Sequence, residues 1–109
     1  MKIVDRKTFL AMPPGTIFNK WVLYVFGDLC IKGETWGNDF LVQHLDSLEE
    51  AENGVYMDAL GWLESGESIR MDFNAQGRDG LFDDDQCFAV WDAADVDALI
   101  ARLTACRAT

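Results

Sequence analysis

The chemistry-bearing residues of this chain crowd into one stretch, Asp72-Phe73-Asn74-Ala75-Gln76-Gly77-Arg78-Asp79-Gly80-Leu81-Phe82-Asp83. Asp72, Asn74 and Gln76 stand at the first, third and fifth positions of a twelve-residue calcium loop, Gly77 at the sharp turn and Asp83 at the last position. Calcium takes about six to eight oxygens, and this spacing can wrap them around one ion. Three residues argue against it. Gln76 replaces a carboxylate, Asp79 stands where an aliphatic belongs, and Asp83 is shorter than the usual bidentate Glu. The segment before the loop also reads as strand rather than helix. The expectation is a solvated hairpin loop with no resident metal and no cofactor.

The same stretch leads into Asp83-Asp84-Asp85, with Asp79 before it and Asp92 and Asp95 after it. Like charges this close cost free energy in a folded chain. Duplex DNA presents about one phosphate per 1.7 Å of axis. Regularly spaced carboxylates can mimic that and occupy a basic, nucleic-acid-binding surface. Phe82 and Trp91 flank the patch as aromatic anchors of the kind interfaces use. The expected protein-binding set is therefore Asp79, Phe82, Asp83, Asp84, Asp85, Trp91 and Asp92. The bland alternative is a solvated acidic turn that aids solubility.

Enzyme chemistry finds little to use. His44 is the single histidine. If strands on either side of Gly37 pair symmetrically, Cys30 faces His44, and a thiol–imidazole dyad becomes available. The competing reading is a buried Cys beside a structural His. No Gly-rich loop with Lys-Ser/Thr opens a helix, so phosphate-cradle chemistry has no support. No catalytic residue is expected.

A small-nucleotide pocket is a second binding class. Lys20, Lys32, Arg70 and Arg78 lie in or beside the expected sheet, and Trp36, with Trp21, Tyr24, Phe40 and Tyr56, offers faces on which a base can stack. The ligand-binding set in that case is Lys20, Lys32, Trp36, Arg70 and Arg78. Ordinary ion pairing with the acidic excess explains the same cations.

The chain that must position these groups has 109 residues and net charge −10, half of it hydrophobic. That is one domain, 1–109, with enough apolar material for a core without staples. Residues 1–32 hold five Lys/Arg and two Asp/Glu, whereas 33–101 hold seventeen Asp/Glu against Arg70 and Arg78 alone. Such a body repels nucleic acid and anionic membrane and attracts basic protein surfaces. Cys30, Cys87 and Cys106 match neither a disulfide framework nor a zinc spacing, and read as free thiols. The start, Met1-Lys2-Ile3-Val4-Asp5, has no leader-like apolar region, and the longest apolar run, 21–26, is too short to span a bilayer. A cytoplasmic location is the expectation.

The elements follow from pattern. Ile3-Val4 reads as a strand and Asp5 as an N-cap, with Val4 and Phe9 as a hydrophobic staple; Pro13-Pro14-Gly15 stops that short helix. Strands are expected at 16–26, 29–32 and 39–45, with turns at Gly27-Asp28 and over 33–38. Ser47 and Glu50 fit a capping box for a middle helix running to about residue 66. A weak strand follows at 67–73, then the loop over 74–85, then a strong strand at 86–91. Asp92 caps a final helix whose Val96, Leu99, Ile100 and Leu103 form a core stripe. The fold class is α+β: a mostly antiparallel sheet of about five to six strands with a short N-terminal helix, a middle helix and a C-terminal helix.

Two segments together carry a resemblance. One is Phe9-Leu10-Ala11-Met12-Pro13-Pro14-Gly15-Thr16-Ile17-Phe18, continuing to Phe26-Gly27-Asp28-Leu29-Cys30-Ile31-Lys32-Gly33. The other is Gly77-Arg78-Asp79-Gly80-Leu81-Phe82-Asp83-Asp84-Asp85-Gln86-Cys87-Phe88-Ala89-Val90. They resemble short acidic proteins encoded by bacteriophages and prophages. The resemblance implies a setting in which such proteins inhibit host defence, either by covering a basic protein surface or by sequestering a nucleotide signal. The expected function is a non-enzymatic accessory protein that binds and inhibits a host protein with a basic surface. The alternative is an oligomeric small-nucleotide sponge.

Overall fold

Val4, Phe9, Phe18, Cys30, Phe40, Val42 and Phe88 form the hydrophobic core; period-two spacing turns the strand residues inward, and Phe9 comes down on them from a helix. A computed structural model describes residues 1–22, 25–48, 66, 68 and 70–107. Its elements are β1 (Lys2–Val4), α1 (Arg6–Leu10), β2 (Ile17–Val22), β3 (Val25–Trp36), β4 (Asp39–His44), β5 (Gly77–Arg78), β6 (Cys87–Val90) and α2 (Ala93–Arg107). The strands form one six-stranded sheet in the order β1-β6-β2-β3-β4-β5, and neighbouring strands run antiparallel. The fold is α+β, with a short N-terminal and a longer C-terminal helix.

Register aligns the core. Phe18 pairs with Cys30 and Val90, Phe88 pairs with Val4 and Lys20, and Lys32 pairs with Val42, so these side chains share one face. Helix α1 lies over that face. Asp5 caps it by accepting the Thr8 amide at 2.8 Å. Its Phe9 ring stacks on Phe88 at 3.9 Å and meets Phe18 and Phe40 edge-on at 4.7 and 5.1 Å. Edge-on aromatic contacts of this kind add about 0.5–1.5 kcal/mol each beyond the area they bury.

Several expectations shift. No turn interrupts the sheet at Gly27-Asp28, because β3 runs straight through it; a bulge between Asn19 and Trp21 absorbs the mismatch, and Asn19 Nδ2 donates to the Gly27 carbonyl at 3.0 Å. Gly33 lies in β3 as well, not in a loop. A Cβ there would stand 2.9 Å from that of Leu41, so glycine serves close strand approach. The turn proper is Gly37-Asn38, with Gly37 at φ +62°.

The expected strand at 67–73 is reduced, among the described residues, to a bridge between Met71 and Leu48. Within the expected loop 74–85, Gly77 and Arg78 instead pair with Val42 and Leu41 as β5. The expected middle helix lies outside the described residues from 49 to 65. In α2, Ile100 and Leu103 are exposed, and Val96 and Leu99 are only half-buried, so the stripe is not core. Among the described residues, no helix is long and apolar enough to cross a membrane.

Candidate functional site

The acidic loop is built on a buried anchor. Asp79 follows β5, and its amide donates to the Phe40 carbonyl at 3.0 Å. That turns its carboxylate inward, where the side chain is only 3% exposed. Oδ1 sits 2.5 Å from Lys20 Nζ, and Oδ2 sits 3.7 Å from Nη1 of the buried Arg6. Arg6 in turn donates from Nη2 to the Asn38 carbonyl at 2.5 Å and lies 5.6 Å from the Phe40 ring centre, while its Nε and Nη1 make no hydrogen bond. Asp79 is therefore a structural counter-ion beneath the loop, not a docking acid. Burying the Arg6 side chain between α1 and the sheet requires it.

Beyond that anchor the chain turns outward. Leu81 is 66% exposed and Phe82 48% exposed, and Phe82 holds φ +51°, a left-handed backbone that a bulky residue rarely adopts. Asp83, Asp84 and Asp85 follow, all exposed. Asp83 Oδ1 accepts the Asp85 amide at 3.0 Å, and the Gln86 amide closes on the Asp83 carbonyl at 3.1 Å. Gln86 Nε2 then pins the far end to the carbonyls of Trp21 and Cys87, at 3.1 and 2.7 Å. The 81–85 tip is thus a turn clamped at both ends.

Trp91 and Asp92 belong elsewhere. Trp91 Nε1 donates to Asn19 Oδ1 at 2.7 Å, and its amide donates to the Ile17 carbonyl at 2.9 Å, which fixes the ring on the sheet. Asp92 caps α2, accepting the Asp95 amide at 2.9 Å, while Asp95 returns a bond to the Asp92 amide at 3.2 Å. Of the seven residues expected to bind protein, the tip joins Phe82, Asp83, Asp84 and Asp85.

Comparison with protein-family models, curated proteins and solved structures gave no match.

The nucleotide set is not assembled. Lys20 and Arg78 both line a cavity of about 380 Å³. Lys20 is held by Asp79, however, and Arg78 Nε by Asp39 Oδ2 at 2.9 Å, so each cation already faces a buried carboxylate. Asp39 also accepts the Gly80 amide at 3.0 Å; that bond, followed by Arg78, holds its carboxyl below the ordinary range. Lys32 is 1% exposed beneath α1, its Nζ on Thr35 Oγ1 and the Gly33 carbonyl, and burial pulls its pKa down. It cannot reach a ligand. Trp36 lies exposed at the β3–β4 turn, and Arg70 lies on the surface; neither lines the cavity.

The cavity also holds the thiol–imidazole pair. Cys30 and His44 are cross-strand partners, with Sγ 3.3 Å from Nδ1. Burial, followed by the charges of Asp28 and Asp46, pushes the Cys30 thiol up to about 11. A nucleophilic cysteine needs the opposite shift. The calcium loop is not assembled either, since β5 and the inward Asp79 draw its middle onto the sheet.

Sequence reasoning missed Arg6 and Asp39, the buried charges that orient the loop. It also missed Asp28 and Asp46, whose oxygens lie within 4.8 Å of each other and of a His44 nitrogen. Register carried a signal for this last group: the pairing that sets Cys30 against His44 also sets residue 28 against residue 46.

Proposed function

We propose that this protein is a non-enzymatic binding protein that docks on a basic protein surface through the 81–85 tip. The supporting observation is the tip itself. It places two exposed apolar side chains directly beside three exposed aspartates on a clamped turn. Exposed anchors cost hydration, and φ +51° at Phe82 costs about 1–3 kcal/mol in backbone strain. Both costs have a use if Leu81 and Phe82 enter a partner's pocket while the aspartates meet its cations. The net charge of −10 speeds encounter with a basic surface and disfavours nucleic acid.

The resemblance to phage-encoded proteins supplies the setting. In it, the partner is a cytoplasmic host protein with a basic, nucleic-acid-facing surface, and docking inhibits that protein.

The test is affinity capture with the immobilised chain, run in parallel with the D83K/D84K/D85K and L81S/F82S variants. The expected result is a basic protein that elutes with salt from the wild type, is lost from both variants, and loses its own nucleic-acid binding when the wild-type chain is added. Equal capture by wild type and both variants would contradict the reading.

A further inference from the structure

Asp28-Leu29-Cys30 on β3 and His44-Leu45-Asp46 at the end of β4 repeat one spacing, with donors two residues apart on each strand. Side chains at that spacing share a face. Cys30 pairs with His44, and the Leu45 amide donates to the Leu29 carbonyl at 3.3 Å, which carries the same register past the end of β4. One step further sets Asp28 against Asp46. Of the side chains in these two successive cross-strand pairs, Asp28, His44 and Asp46 bring their ligand atoms within 4.8 Å of one another.

We propose that Asp28, His44 and Asp46 bind one zinc-class divalent cation. His44 Nδ1 lies 3.3 Å from Cys30 Sγ and 3.8 Å from Asp28 Oδ2. A tetrahedral ion with N and O bonds of about 2.0–2.2 Å holds its ligand atoms about 3.3–3.6 Å apart, close to the His44–Asp28 spacing. Asp46 belongs to the same cluster, its ligand atom within 4.8 Å of those of Asp28 and His44. One imidazole nitrogen and two carboxylate oxygens suit zinc or cobalt, whereas calcium and magnesium want oxygen alone.

The surroundings fit as well. Cys30 forms a buried floor, and His44 and Asp28 stand at the solvent edge, so an ion has a way in. Facing carboxylates on adjacent strands destabilise a pair, and a cation between them reverses that sign. The site rests on β3 and β4 and is independent of the docking tip.

The experiment uses Co²⁺ as the probe on the full chain, in excess Mg²⁺ so that scattered surface carboxylates are occupied. The expected result is uptake of a single Co²⁺ per chain, weakened by Asp28→Asn. His44→Ala, at an exposed position that leaves the circular dichroism unchanged, should weaken binding on the order of tenfold or more. Two results would overturn the site: no uptake in Mg²⁺, or uptake indifferent to His44→Ala.

Discussion

Lys20 Nζ stands 2.5 Å from Oδ1 of Asp79, a carboxylate that the chain hides almost completely from water. The other oxygen faces buried Arg6. One acid thus holds strand β2, helix α1 and the base of the docking tip together. Asp79→Ala leaves Arg6 buried without its counter-ion, which should cost about 3–5 kcal/mol. Urea unfolding followed by tryptophan fluorescence reads this directly. A loss below about 1 kcal/mol, the range of exposed pairs, would place the contact among ordinary surface ion pairs.

Phe9 is the keystone of the aromatic core, touching Phe18, Phe40 and Phe88. Phe9→Ala removes a fully buried ring and should cost about 3–5 kcal/mol. Leu103→Ser, on the exposed side of α2, should stay within about 0.5 kcal/mol. Equal costs for the two variants would mean that α2 carries a core role its exposure contradicts.

Asp39 supplies the pH dependence. Its folded-state pKa lies below the ordinary 3.8, so the folded form binds its proton less readily than the unfolded one. The stability it contributes is full above the ordinary value and is lost as pH falls through the lowered one. Asp39→Asn should therefore be less stable than wild type at pH 6, with the gap narrowing steadily below about pH 4. Denaturation midpoints measured from pH 6 to pH 2 check this, and a gap of constant size would refute it.

The sheet was largely legible from residue types, because alternation at Phe18, Cys30, Phe40, Val42 and Phe88 fixes which face turns inward. The Asp5 cap and the Cys30–His44 pairing also followed, one from local chemistry and the other from symmetry about the Gly37 turn. Gly27 and Gly33 misled. Glycine marks a turn and a close strand approach with the same letter, and only the partners, Asn19 and Leu41, distinguish them.

The candidate site was legible in its exposed part and not in its buried part. Phe82 and the three aspartates after it stand out in the sequence and stand out in space. Asp79 looks identical to them in composition, yet a two-residue strand rotates it inward onto cations from 59 and 73 positions earlier, Lys20 and Arg6. Charge counting sees neither direction nor long-range pairing. The same limit hid Asp28 and Asp46, which matter only as a cross-strand pair.

The central claim is that the 81–85 tip makes the contact with a partner. A photo-crosslinking amino acid at position 82, with a second probe at exposed Thr104 on α2, tests it most directly in living cells. The account predicts a covalent adduct with a basic protein from position 82, none from position 104, and loss of the adduct when Asp83, Asp84 and Asp85 are changed to Lys. An adduct formed from position 104 while position 82 stays silent would contradict it.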